Sequence, residues 1–250
     1  MNFVITKYEG NVATVILNRG KVNAINEDVT AELKTVFREL ETDFKVKSIV
    51  LTGKGKFFSF GLDVPELYEY PREAFKVFVT KFADLYTYLF LYPKPILAAL
   101  NGHTTAGGCM IAIACDYRLM VTGKSRIGLN EITFGSSLFP GSVEMLRYCV
   151  GDKNAQIIAY SGAMYPPEEA LALGLVDRIV SEEDFPAVTR ELAKEFADKQ
   201  GAAFQSIKML LRHDVGELMK RKDSAYSDKM IDIWYSENTR RLLKNITIRG

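Results

Sequence analysis

Strand-like and helix-like stretches alternate in this sequence up to about residue 180, and beyond that point only helical patterns remain. This order limits the fold more than any other feature, because alternating strands and helices build a sheet covered by helices. Phe3 to Tyr8 and Val12 to Leu17 are β-rich runs joined by Glu9-Gly10-Asn11, which reads as a hairpin. Asn26 or Asp28 can cap a helix whose apolar positions, Val29, Leu33, Val36, Phe37, Leu40 and Phe44, fall at helical spacing. A short buried strand follows at Ser48 to Thr52.

The alternation then repeats. A helix is expected from about Pro71 to Tyr92, with Phe75, Phe78, Phe82, Leu85 and Leu89 on one side, and Pro93 and Pro95 stop it. Ile96 to Leu100 reads as a strand, Gly102 to Gly108 as a loop, Cys109 to Cys115 as a helix and Tyr117 to Val121 as a strand. Pro166 to Leu173 reads as a helix ending at Gly174, before a strand from Leu175 to Val180. From about Phe185 the pattern is helical only. The expected class is α/β, with a core over residues 1–190 and a helical region over 191–250.

Charge and cysteine content narrow the partners. Thirty-two basic and 31 acidic side chains leave a formal net charge of +1, which offers no general attraction to nucleic acid or an anionic membrane. Three scattered cysteines, Cys109, Cys115 and Cys149, read as reduced buried thiols of a cytosol-like compartment. With only His103 and His213, a histidine-rich metal site is excluded, and no metal is expected. The opening Met1-Asn2-Phe3-Val4 lacks a secretory pattern, and no apolar run reaches the roughly 20 residues that span a bilayer. A soluble, cytoplasmic chain is expected.

Three segments can carry chemistry. In Phe58-Ser59-Phe60-Gly61-Leu62-Asp63, Gly61 permits a positive φ or a close backbone approach, and Asp63 can cap a short helix. In Asn101-Gly102-His103-Thr104-Thr105-Ala106-Gly107-Gly108-Cys109, a strand again leads through glycines into a helix start, where N–H groups are unpaired. Two such loops could aim two main-chain N–H groups at one developing oxyanion. Glycines that merely make turns are the plainer reading of the spacing, and that alternative stays open. The third segment, Gly128-Leu129-Asn130-Glu131, puts a lone carboxylate among apolar residues, where burial would raise its pKa and suit it as a base. An exposed glutamate or a structural ion pair is the alternative there.

Taken in order, these segments resemble the crotonase (enoyl-CoA hydratase/isomerase) family. The likeness rests on Asn23-Ala24-Ile25-Asn26, Phe58 to Asp63, Asn101-Gly102 with Ala106-Gly107-Gly108-Cys109, Cys115-Asp116-Tyr117-Arg118 and Gly128 to Glu131. Pro167-Glu168-Glu169-Ala170 and Gly174-Leu175-Val176-Asp177 extend it. The resemblance implies a spiral of ββα units with a helical C-terminal trimerisation region, assembled as a trimer or a pair of stacked trimers. It implies an acyl-CoA thioester as substrate, with coenzyme A as part of the substrate and no further cofactor. It also implies an oxyanion hole from the N–H groups of Leu62 and Gly107, and Glu131 as the acid/base. Phe60, Gly61, Asp63 and Val64 would lie along the CoA, Lys56 and Phe57 near its adenine end, and Asn130 would shape the pocket.

One position departs from the hydratases of the family, which resemble this chain but carry a second glutamate where Met110 stands. Hydration uses two carboxylates to place water and manage its proton, whereas one base suffices to move a proton from C2 to C4. The pattern therefore looks most like the Δ3,Δ2-enoyl-CoA isomerases. A hydratase, an acyl-CoA hydrolase and a non-catalytic CoA-ester-binding subunit are the alternatives.

Other residues receive quieter readings. His103 is expected to pack or hydrogen-bond within its loop, a base being the alternative, Asp116 to be a structural partner beside Arg118, and Ser136 and Ser137 to donate hydrogen bonds into the pocket without acting as nucleophiles. Met230, Ile233, Trp234, Leu242 and Leu243 are expected in core or subunit packing, and the resemblance lets this segment also cover a neighbouring CoA site. Lys208 and Arg212 are expected on a solvated face, a CoA phosphate being the alternative. Lys220-Arg221-Lys222, offset by Glu217 and Asp223, reads as surface. Ile248-Arg249-Gly250 does not match a peroxisomal address, which fits a bacterial-type cytosolic enzyme.

Overall fold

A computed structural model describes residues 2–248; Met1, Arg249 and Gly250, on which the readings of the two termini partly rest, lie outside the described residues. Along the chain run β1 (Val4–Glu9), β2 (Val12–Leu17), α1 (Glu27–Thr42), β3 (Ser48–Gly53), β4 (Phe57–Ser59), α2 (Val64–Tyr68) and α3 (Arg72–Leu91). They are followed by β5 (Ile96–Leu100), β6 (His103–Thr105), α4 (Gly107–Ala114), β7 (Tyr117–Val121) and β8 (Ile127–Gly128). After a 3-10 turn, Glu131–Phe134, come α5 (Pro140–Ser161), α6 (Pro167–Leu173), β9 (Arg178–Val180), α7 (Phe185–Ala197), α8 (Gly201–Trp234) and α9 (Glu237–Leu243).

The strands divide between two sheets. One has the order β1-β2-β3-β5-β7-β9 and is parallel except for the β1–β2 hairpin; the other, β4-β6-β8, is wholly parallel. The chain visits the large sheet, the small sheet and then a helical segment three times in succession: β3-β4-α2, β5-β6-α4, and β7-β8 into the 3-10 turn. This is a spiral of ββα units. Because β4, β6 and β8 are parallel, the segments that leave them emerge at one edge of the small sheet. Phe60 to Asp63, Ala106-Gly107 and Leu129 to Glu131 are those segments.

The sequence pattern explains most elements. Strand β5, Ile-Leu-Ala-Ala-Leu, is buried at all five positions, as expected for a parallel strand covered on both faces. Asn26 caps α1 by accepting from the Val29 N–H at 3.0 Å. The aromatic side of α3, with Phe75, Phe78, Phe82, Leu85 and Leu89, is fully enclosed in the core.

Several expectations need correction. The stretch Gly102 to Gly108 is not all loop: β6 lies within it, held when Thr104 N donates to Arg126 O and Ala106 N to Gly128 O. The next helix accordingly starts at Gly107. The strand expected from Leu175 shrinks to Arg178–Val180, because Leu175 N and Val176 N donate back to Ala170 O in the helix cap. Helix α5, not foreseen, is interrupted at Gly151 with φ 74°. Phe44 falls beyond the end of α1 and is 89% exposed.

Lys208 and Arg212 are not on a solvated face. They are 4% and 7% exposed, and both meet Asp116, at 2.9 and 3.3 Å. Arg212 also donates to Phe90 O, Ala114 O and Cys115 O, so α8 is pinned to the carbonyl ends of α3 and α4. Arg118 pairs with Asp177 at 2.7 Å and not with Asp116. Asp223 leaves the basic run to accept from the Tyr86 O–H and the Gly141 N–H, while Lys222 pairs with Glu144. Removing one member of a buried ion cluster strands the others. Asp116→Ala should therefore cost about 3–5 kcal/mol, read as a drop in unfolding free energy in urea; a loss no larger than that of an exposed-pair control would contradict this account.

Candidate active site

The chain leaving β4 is hung from its neighbour at two points around Leu62. Ile25 N donates to Gly61 O and Asp63 N donates to Ile25 O, both at 2.8 Å. In such a parallel bridge the middle residue turns its own N–H to the opposite side, and the Leu62 N–H has no acceptor among the described residues. Gly61 has φ +94°, and a Cβ there would stand 2.6 Å from Thr105 O and 3.1 Å from Gly107 N. The first loop thus rests directly on the second. Only glycine meets both demands.

The second loop is bent at Ala106, which has φ 49° and ψ −117°. A non-glycine residue held there stores about 1–3 kcal/mol of strain. Ala106 N is tied to Gly128 O at 2.9 Å, and the next residue, Gly107, opens α4 with an N–H that has no acceptor among the described residues. That N–H stands at the positive end of the helix. A Cβ on Gly107 would meet Leu62 Cδ2 at 2.9 Å, so the two unpaired N–H groups belong to segments in direct contact. Donors of this kind suit an oxygen that gains negative charge during reaction.

The third segment delivers the carboxylate. Glu131 starts the 3-10 turn after β8, is 6% exposed, and has an enclosed Oε2 with no hydrogen-bond partner among the described residues. Burial pushes its carboxyl up to about 8, against a smaller opposing effect of its own main-chain N–H. It faces an apolar cavity of about 270 Å³.

The cavity gathers some of the residues expected from the sequence and leaves others out. Phe60, Leu62, Val64, Asn130 and Glu131 line it, joined by Ser136 and Ser137. Gly61 and Gly107 are not among the lining residues but adjoin Phe60, Leu62 and Ala106, which are. Asp63 caps α2, accepting from Glu66 N at 3.1 Å, and its other oxygen pairs with Arg19 at 2.6 Å. Lys56 is exposed and Phe57 half-buried at the far end of β4, outside the cavity lining; Phe57 packs on Phe60 and His103. His103 is held below its ordinary pKa by burial and by Arg126, and stays a neutral packing partner.

Much of the cavity wall is aromatic and comes from elements distant along the chain. Phe75, Phe134, Phe139, Met230, Trp234 and Ile246 form much of the remaining lining, with Thr105, Ala106 and Thr133. The helical spacing of Phe75, Met230 and Trp234 cannot distinguish a core face from a cavity face. Met110, one turn into α4, is fully enclosed in the core and is not among the lining residues. Among the described residues no cluster of His, Cys, Asp or Glu could hold a metal ion, and no helix is long and apolar enough to cross a membrane.

Residues 7–244 match the profile of the Enoyl-CoA hydratase/isomerase family. The chain belongs to that family. Among relatives of this enoyl-CoA hydratase/isomerase family member is a short-chain-enoyl-CoA hydratase of Clostridium acetobutylicum, 35% identical over 80% of this chain and 75% of that protein. Another is the mitochondrial enoyl-CoA delta isomerase 1 of Rattus norvegicus, 28% identical over 86% of this chain and 76% of that protein. The crystal structure of human mitochondrial delta3-delta2-enoyl-CoA isomerase shares the fold, with a TM-score of 0.92 over 97% of this chain and 95% of that one, at 24% identity. The relatives thus carry names of both activities.

Proposed function

We propose that this family member is an acyl-CoA isomerase that shifts the double bond of a 3-enoyl thioester to the 2-position. The reading is carried by one observation: Glu131 is the single carboxylate among the residues lining the cavity. Ionised Glu131 removes a proton from C2. The electron pair moves toward the thioester oxygen, and the Leu62 and Gly107 N–H groups receive the charge of the dienolate. Protonated Glu131 then returns the proton at C4, leaving the double bond between C2 and C3. Base and acid are one residue, and no water is consumed.

Hydration would need a second group to position water. In the family's hydratases a glutamate stands at position 110; here a methionine lies there, enclosed in the core. Lys56 and Phe57, outside the cavity, would meet the nucleotide end of coenzyme A, with Gly61 and Asp63 in the loop beside it and Asn130 shaping the pocket. Assembly as a trimer or stacked trimers belongs to the same proposal, and apolar side chains of α8 such as Leu210, 84% exposed, fit an interface.

Incubation with 3-enoyl-CoA, 2-enoyl-CoA and saturated acyl-CoA esters tests the proposal by product. The expected outcome is 2-enoyl-CoA from the first and no change in the other two. A 3-hydroxyacyl product from the 2-enoyl ester would replace isomerisation with hydration. Free coenzyme A from the saturated ester would point to hydrolysis, and binding without turnover to a non-catalytic subunit.

A further inference from the structure

The cavity beside Glu131 has a neighbour. A surface groove of about 630 Å³ runs behind the segment that follows the 3-10 turn, and Ser136, Ser137 and Met230 line both spaces. The last turn of α8 divides them: Trp234 faces the inner cavity, Ile233 the outer groove, and Met230, one turn before Trp234, belongs to both walls. Trp234 is fixed, stacked on Phe75 with ring centroids 4.5 Å apart. Met230 is 4% exposed, but its side chain is unbranched and turns about three bonds, so it is the adaptable part of the partition.

The outer groove is itself apolar. Tyr160 and Tyr226 line it and are 70% and 56% exposed. It is more than twice the volume of the inner cavity and lies directly across the partition from it. Of the three residues that line both spaces, Met230 alone has a long apolar side chain, so its displacement is the route by which a hydrocarbon tail entering past Glu131 would reach this groove.

We propose that Met230 sets the length of acyl group this site accepts, by closing the inner cavity against the outer groove so that short and medium acyl tails fit and long ones do not. The inference rests on the acyl-CoA reading of the Glu131 cavity and adds the substrate class to it. It does not depend on whether the chemistry is isomerisation or hydration.

Calorimetric titration of the full chain with saturated butyryl-, octanoyl- and palmitoyl-CoA tests it without relying on turnover. In the unaltered protein, affinity should rise from butyryl to octanoyl and gain nothing further with palmitoyl. Met230→Ala should tighten palmitoyl-CoA about tenfold relative to butyryl-CoA, the scale on which added methylenes are discriminated in an apolar pocket. Met230→Val, which removes less bulk, serves the same comparison if the alanine variant does not fold. Adding Ile233→Gln, which places an amide in the outer groove only, should cancel that gain and leave the butyryl-CoA affinity of Met230→Ala unchanged. Palmitoyl-CoA already binding tightest to the unaltered protein, or a ratio unmoved by Met230→Ala, overturns the partition while the acyl-CoA reading stands. Absence of binding by every ester overturns both.

Discussion

Replacing Glu131 with glutamine is expected to lower turnover of a 3-enoyl-CoA ester by about 10²–10⁴-fold, the range for loss of a positioned base, while binding of the ester is largely unchanged. The amide keeps the size and shape of the side chain in its enclosed position but cannot take the C2 proton. Activity near that of the unaltered protein would remove Glu131 from the mechanism.

The same substitution has a second consequence, in stability, and its sign follows from the raised carboxyl. In the unfolded chain Glu131 releases its proton near its ordinary value of 4.5; in the fold it holds the proton up to about 8. Between those values the folded state binds the extra proton, so the group's contribution to stability falls as pH rises through that window and is constant above it. Each pH unit of the window is worth about 1.4 kcal/mol. Glutamine carries no such dependence. The melting temperature of Glu131→Gln should therefore exceed that of the unaltered protein by a margin that grows from pH 5 to pH 8. The kcat/KM of the unaltered protein should rise over the approach to pH 8, because only ionised Glu131 can act as the base. A margin independent of pH would mean that the carboxyl is not desolvated as its surroundings indicate.

The elements that were legible in the sequence are those whose own residues determine them. Strand β7 and the aromatic face of α3 follow from apolar runs of the right length and period. The glycine loops and Glu131 were recognisable as segments. What escaped depends on partners distant along the chain. Strands β6 and β8 have three and two residues, too short for any periodicity, and exist only because they pair with each other and with β4. Ala106 carries no sign of its positive φ, since alanine is a residue that ordinarily avoids it. Lys208 and Arg212 look like a solvated pair until Asp116, 92 residues from Lys208, is brought against them. Trp234 reads as helix packing, and it becomes cavity wall only when α8 returns to lie over the site. The residues proposed to carry the chemistry stand out in the sequence by type, whereas the walls of the cavity do not.

Gly61→Ala should cost about 10²-fold or more in kcat, the scale for losing one oxyanion donor or misplacing it by an ångström. The new Cβ would be 2.6 Å from Thr105 O, closer than any real contact, and φ +94° is unfavourable for alanine besides. Neither neighbour can yield cheaply, because Thr105 is held in β6 and Gly61 O is fixed by Ile25 N. The loop must move away from Ala106 and Gly107, and the Leu62 N–H moves with it. A general loss of stability is separated by Gly10→Ala in the hairpin turn, where φ is +58° and no atom lies within 4 Å of the added Cβ. That control suffers the backbone penalty alone, about 1–2 kcal/mol, and should keep full activity. Equal kcat losses in both variants, or full kcat in Gly61→Ala, would show that the close seating of the two loops is not what aligns their N–H groups.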